Sequence, residues 1–251
     1  MLYQTEGIVL SSAVLGEHDR VIALLTLQKG LVRAVVRGAR KPSSRLAAVT
    51  QPFSRADFQL YGRGSSLDRV IQVSLLDSHP GIVSDYAKVV YANYLAEIVS
   101  GLMPEHERNS GVYHLFLAIL DALQEARELW TVARWAELRL LRSAGFMPLL
   151  DSCLRCGKVP VGTAHFSAPA GGVLCEECHA GEADSADLIP LSPGSIKTLS
   201  LIASSQGRPN VVARGQVRDE AARVMREYVA HVLGKRPKSL SLVERLEDEG
   251  A

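Results

Sequence analysis

The chain has 251 residues, 47% hydrophobic and 22% charged, with 28 lysines and arginines nearly balanced by 27 acids. This composition describes a folded globular protein of one or two domains and excludes disordered and fibrous classes. No run approaches the roughly 18 apolar residues of a membrane span, and Met1 to Glu6 lack a basic segment leading into an apolar one, so a cytoplasmic protein with no membrane partner is expected.

From Tyr3 to Val73 the pattern is short strands and turns. Strands are expected at Gln4 to Ser11, Arg20 to Thr26, Leu31 to Arg37, Phe53 to Leu60 and Asp68 to Val73. Turn signals stand at Gln28-Lys29-Gly30 and Gly62-Arg63-Gly64-Ser65, and Ser44 can cap a short helix running to Val49. Five strands with a helix after the third follow the order of an OB-fold, a small barrel used to bind single strands; an SH3-like barrel has the same strand count.

Arg20 to Ala56 holds eight basic residues and no acid. Residues 1–80 carry a net charge of +4, which leaves 81–251 at −3. Within Leu31 to Arg37 the period of two puts Arg33, Val35 and Arg37 on one strand face and Val32, Ala34 and Val36 on the other, so one face can join a core while the other stays basic. The loop beyond it, Gly38 to Arg45, concentrates Arg40, Lys41 and Arg45. A surface shaped by solubility alone mixes both signs, whereas this one suits a polyanion. Phe53, Phe58 and Tyr61 are candidate base-stacking aromatics, although alternation sends at least one of them into the core.

His79-Pro80-Gly81 ends the strand pattern and helical spacing takes over. A helix opening at Ser84-Asp85 carries Tyr86, Val90, Tyr91, Tyr94, Leu95, Ile98 and Leu102 on a stripe read as core. Helices at Ser110 to Arg127 and Leu129 to Ala144 are expected to pack with it as a bundle, with Trp130 and Trp135 in the interior. Further helices are read at Ser192 to Ser204 and Val217 to Leu233, followed by the basic tail Lys235, Arg236 and Lys238 and a short amphipathic end from Leu240 to Leu246.

Cys153-x-x-Cys156 and Cys175-x-x-Cys178 are separated by 18 residues, the spacing of a zinc ribbon. Each pair presents two thiolates to one edge of a tetrahedral ion, Gly157 relaxes the first knuckle, and a hairpin turning at Pro169 to Gly172 can carry the second pair. Two disulfides do not suit a reducing compartment, and four independent thiols do not explain the paired spacing. His165 and His179 are read as neighbouring groups, since four thiolates complete a structural zinc site and leave no position for activated water. The expected organisation is α+β: a five-stranded OB-fold barrel over residues 1–80 that binds nucleic acid, then a helical domain over 81–251 with a zinc-ribbon-like four-cysteine insertion at about 150–181.

The sequence has no phosphate-cradling G-x-x-x-x-G-K-[ST], no G-x-G-x-x-G after a strand, no H-E-x-x-H and no deaminase signature. Glu17-His18-Asp19 is the one cluster resembling acid/base machinery, and adjacent strand residues point to opposite faces. A binding protein, not an enzyme, is expected. The competing classes are an interaction scaffold whose basic surface is incidental and a metal-dependent hydrolase.

Gly7-Ile8-Val9-Leu10, Glu17-x-Asp19-Arg20, Leu25-Thr26, Gly30, Val36-Arg37-Gly38-Ala39-Arg40-Lys41, Gln51-Pro52-Phe53 and Gly145-Phe146-x-Pro148 ahead of Cys153-x-x-Cys156 occur in this order over nearly the whole chain. In these motifs the chain resembles the bacterial RecO family of DNA repair and recombination mediators. The resemblance implies an N-terminal OB-fold, a helical C-terminal region and, in one branch, a structural zinc site of four cysteines. It also implies binding of single- and double-stranded DNA, annealing of complementary strands, work with RecR, contact with the single-stranded DNA-binding protein, and help in loading RecA. Motif match makes Arg37, Arg40 and Lys41 candidate DNA contacts; Lys29, Arg33 and Arg45 join them by strand and loop placement.

Overall fold

The computed structural model of the chain describes residues 1–41, 44, 46–62, 67–180 and 188–249, which divide into two compact units, Met1–Glu125 and Ala126–Ala251. The first unit is built on a closed barrel of β1 (Leu2–Leu15), β2 (Asp19–Thr26), β3 (Gly30–Val36), β4 (Arg55–Tyr61) and β5 (Asp68–Asp77), in the spatial order β1-β2-β3-β5-β4. The short helix α1 (Leu46–Val49) lies between β3 and β4. Parallel pairing of β3 with β5 and antiparallel pairing of β1 with β4 close the ring, which is the OB-fold order.

One strand serves two partners. β1 pairs with β4 over Leu2–Ile8 and with β2 over Gly7–Leu15, and the register slips between Val9 and Ser11. An extra residue at a bulge bends and twists its strand, which lets one long strand turn the barrel corner. Val9, Ile22, Leu24, Ala34, Val36, Ala56, Phe58 and Leu60 fill the barrel interior. Phe53 lies ahead of β4 and is also buried, so neither phenylalanine is available to a base.

The helices divide between the two units. α2 (Pro80–Val83), α3 (Tyr86–Leu102) and α4 (Ser110–Glu125) belong to the first unit, where α3 packs on β1 and α4 on β2. Asp85 caps α3 by accepting from Lys88 N at 3.2 Å. Tyr91 and Tyr94 are in the core, whereas Tyr86, in the first turn, is exposed. Between α3 and α4 the chain runs along β3: Leu31 forms a parallel bridge with Glu105, and His106 N donates to Leu31 O at 2.9 Å. Gly30 is required there, because it has φ 65° and an added Cβ would sit 1.9 Å from Glu107 O.

The second unit packs α5 (Leu129–Ser143) with α7 (Pro193–Ser204) and α8 (Gly215–Leu233). Its small sheet has the order β7-β6-β8, formed by β6 (Ala164–Ser167), β7 (Gly172–Cys175) and β8 (Leu188–Leu191), with α6 (Glu176–His179) following β7. The sequence signals the hairpin but not β8, whose four residues, Leu188 to Leu191, include Pro190 and carry no polar residue to mark a period of two. The C-terminal α9 (Leu240–Glu249) buries Leu240 and Val243, and its Glu247 receives Arg134 at 3.4 Å and Arg226 at 2.8 Å. Both tryptophans are buried, as expected.

Helix α4 is fastened to the barrel by a polar triad. The Glu6 carboxylate accepts from Arg55 Nε and, at 2.6 Å, from Tyr113 Oη. Burial pushes the Glu6 carboxyl up, but the hydrogen bonds from Arg55 and Tyr113, with the Arg55 charge, outweigh it and hold the carboxyl below the usual carboxylate range. A lowered folded pKa stabilises above the unfolded value of about 4.3, and the contribution is lost as pH falls through the folded value. Urea titrations from neutral pH into acid are therefore expected to show an acid-labile component that Glu6→Gln removes; an unchanged acid limb in the variant would exclude Glu6 as its source.

Candidate functional site

The basic residues from β3 onward sit where strand alternation places them. Val32, Ala34 and Val36 are buried, Arg33 is exposed, and Arg37 is exposed immediately after the strand. Lys29 is exposed in the β2–β3 turn, its ammonium 5.7 Å from the centre of the Tyr3 ring. Arg40 and Lys41 are exposed in the turn after β3. Arg45 lies outside the described residues.

Two motifs that look separate in the sequence meet at this loop. Asp19 Oδ1 accepts from Gly38 N at 2.8 Å, and His18 O accepts from Arg40 N at 2.9 Å. Arg40 Nη1 then donates to the carbonyls of Gly16 at 3.2 Å and Glu17 at 3.0 Å. The β1–β2 hairpin thus clasps the loop after β3. This is where Glu17-His18-Asp19 spends its polar groups: its backbone and the Asp19 carboxylate support a neighbouring loop. Carbonyl dipoles orient the Arg40 guanidinium without cancelling its charge.

The remaining cations differ in what they face. Arg33 Nε meets Glu105 Oε1 at 2.6 Å, both side chains being about half exposed, at 59% and 45%. Its charge is balanced within the unit, which the sequence did not reveal. Arg37, Arg40 and Lys41 have no carboxylate partner among the described residues. Arg69, not anticipated from the sequence, is the cross-strand partner of Val35. The alternation of Asp68-Arg69-Val70, with Asp68 and Val70 buried, was the signal that could have found it. In the tail, Arg236 is held by Glu244 at 2.6 Å.

A groove of about 450 Å³ crosses the barrel, lined by Gln4, Glu6, Gln28, Asp57, Gln59 and Gln72 among others. Of its two carboxylates Glu6 is paired with Arg55, which leaves Asp57, and none of its lining residues is a cation, so the groove is distinct from the cationic loop.

In the second unit the four cysteines converge, with all four sulfurs within 4.8 Å of one another. Cys153 and Cys156 occupy a knuckle closed by Gly157 N to Cys153 O at 2.9 Å and Cys153 N to Lys158 O at 2.8 Å, with Gly157 at φ 71°. Leu154 N donates to Val173 O at 2.8 Å, which ties the knuckle to β7. Cys175 ends β7 and caps α6, whose single turn carries Cys178. The Cys156 and Cys175 sulfurs are 3.8 Å apart; the edge of a tetrahedron with metal–sulfur bonds of about 2.3 Å is about 3.8 Å.

The charge state of the site fits a cation. Burial pushes the Cys153 thiol up, but backbone N–H groups of Cys156, Cys175 and Arg155 outweigh it and bring it down to about 6. Hydrogen bonding to the Cys175 sulfur, followed by burial, pushes Cys178 up to about 12. Four sulfurs this close cannot all be thiolate without a positive ion between them. His165 and His179 stack with ring centres 3.7 Å apart beside the site, and neither completes the ligand group, which the four sulfurs already form.

Comparison with known proteins covers both units. The family model for the N-terminal part of recombination protein O matches residues 1–79, and that for its C-terminal part matches residues 83–241. The chain is 35% identical to the DNA repair protein RecO of Symbiobacterium thermophilum over 98% of both chains. It is 34% identical to that of Desulforudis audaxviator over 97% of both, and 40% identical to that of Bifidobacterium animalis subsp. lactis over 72% of this chain and 76% of the relative.

Elemental analysis is expected to find one metal ion per chain. Cys175→Ser is expected to lose it and to lower the unfolding temperature by about 5 °C or more. Purified protein without metal and with four freely reacting thiols would exclude the site.

Proposed function

Because the chain belongs to the RecO family of DNA repair proteins, we propose that it binds single- and double-stranded DNA through the cationic end of β3 and anneals complementary strands. The observation that carries this reading is the cluster of Arg37, Arg40 and Lys41, exposed, without carboxylate partners among the described residues, and held by the β1–β2 clasp. Lys29 and Arg33 extend the track along the barrel, and Arg45 continues it by sequence position. The Arg33 pairing with Glu105 does not remove Arg33 from the track, since a solvent-exposed ion pair is worth about 0–1 kcal/mol and a phosphate can replace the carboxylate.

The mechanism is electrostatic. Guanidinium and ammonium groups screen the phosphates of two strands and release their condensed counterions, which lowers the repulsion between strands while the bases stay free to pair. No step consumes a nucleotide, consistent with a chain lacking a phosphate-cradling motif. The nucleic-acid-binding domain is the barrel of residues 1–80; residues 81–251 supply helices and the cysteine insertion. We assign zinc to the four cysteines, because an all-thiolate tetrahedral shell favours it. Bound there, the ion contributes folding energy to the knuckles of the second unit.

Family membership extends the proposal to partners: RecR, the single-stranded DNA-binding protein, and RecA indirectly, through loading on coated strands in the cytoplasm. No helix among the described residues is long and apolar enough to cross a membrane.

For about six phosphate contacts on single-stranded DNA, log K against log salt is expected to fall with a slope of about −4, and replacing Arg37, Arg40 and Lys41 by alanine to reduce its magnitude by about 2. The triple variant is expected to stay folded and to bind all sequences more weakly. An annealing assay with chelator and no nucleotide separates the classes: a scaffold anneals nothing, and a metal-dependent hydrolase shows cleavage that chelator stops. A slope near zero, or unaltered binding by the folded triple variant, would overturn the proposal.

A further inference from the structure

The outer surface of the barrel carries a row of residues in register across four strands. Leu2 of β1 faces Tyr61 of β4, Tyr61 faces Arg69 of β5, and Arg69 faces Val35 of β3. Their chain neighbours Leu60, Asp68, Val70, Ala34 and Val36 are buried, so alternation turns the row outward. Arg33 and Arg37 flank its β3 end, one two residues before Val35 and the other two after. The row passes from a basic strand, over an arginine, to an aromatic ring.

Three properties of this row point to a ligand. First, Tyr61 is 42% exposed, whereas Phe53 and Phe58, the other aromatics read as stacking candidates, are 1% exposed. Second, Arg69 is half-buried and its Nε has no hydrogen-bond partner among the described residues, so its guanidinium is not committed to an acceptor within the unit through that atom. Third, the backbone beneath them is pinned: the Met1 amino group donates to Gly62 O at 2.7 Å, Gly62 N to Met1 O at 2.9 Å, and Tyr3 Oη to the Asp68 carboxylate. Side chains on a fixed sheet lose little freedom when a ligand arrives.

Neighbouring strands are about 4.8 Å apart, so Arg69 and Tyr61 stand one strand spacing from each other, the scale that separates the phosphate and base of a single nucleotide. We propose that Tyr61 and Arg69 form a one-nucleotide subsite for single-stranded nucleic acid, with Arg69 taking a phosphate and the Tyr61 ring stacking on the attached base. The subsite rests on the DNA-binding reading above and adds a contact that the electrostatic track lacks. It distinguishes an unpaired strand from a duplex, because a paired base is stacked within its helix and presents no face to the ring.

Full-length protein titrated by fluorescence anisotropy with labelled oligothymidylate, an abasic strand of equal length and a duplex tests this. Tyr61→Leu, which keeps an apolar side chain without a π face, is expected to weaken oligothymidylate binding by about 5- to 150-fold and to leave the abasic strand and duplex within about twofold of wild type. Tyr61→Phe is expected to bind like wild type. Arg69→Gln is expected to weaken both single strands and to lower the magnitude of their salt slope by about 0.7. Wild-type affinity of Tyr61→Leu for oligothymidylate, or an equal loss for all three ligands, overturns the subsite and leaves the cationic track standing. Wild-type protein that binds none of the three overturns the DNA-binding reading and the subsite together.

Discussion

Closure of the barrel is the constraint from which the rest of the first unit follows. When β3 pairs with β5 in parallel and β4 pairs with β1, no barrel strand is left with an open edge, and every strand residue must face either the interior or the outside. The interior accepts only residues such as Val9, Ile22, Leu24, Ala34, Val36 and Leu60. Outward positions carry no such packing requirement, and it is there that Arg33, Arg69 and Tyr61 stand. The same closure holds the β1–β2 hairpin against the loop after β3, so that the Asp19 carboxylate and two hairpin carbonyls set the direction of that loop.

The electrostatic design separates orientation from neutralisation. Arg40 is oriented by carbonyl oxygens, which are dipoles and leave the net positive charge in place. Arg55, by contrast, is paired with Glu6 and supports the seat of α4 through Tyr113, so it is a structural cation and adds little to the surface field. Arg33 lies between these cases, with a carboxylate partner that water also reaches. Of the eight basic residues between Arg20 and Ala56, position alone therefore does not say which are balanced within the unit; the identity of each partner does.

The second unit solves a different problem with the same economy of contacts. Its three-stranded sheet is short, and the first cysteine knuckle is fastened to it by the backbone hydrogen bond from Leu154 N to Val173 O, with Leu149 ahead of it bonded to Gly171 and Val173. Phe166, Val173, Leu174 and Leu191 of this sheet are buried, and a metal held by the four sulfurs would tie the knuckles to that apolar layer. A closed all-sulfur shell has no open position for a substrate, so a metal bound to it acts on the fold of this unit.

Much of this was legible in the residues. The period of two assigned the inner and outer faces of β3, the strand order anticipated the barrel, and paired C-x-x-C spacing brought four thiols to one point, because alternation, turn chemistry and short knuckles are local properties that neighbouring residues determine among themselves. What the tertiary structure alone decided is which distant groups share a surface: Glu105 opposite Arg33, the 16–19 hairpin under the 38–41 turn, Arg69 beside Val35, and Tyr61 beside Arg69. Each of these depends on where the chain returns after tens of residues, and side-chain periodicity carries no record of that return; only the pairing of strands and the packing of helices sets it.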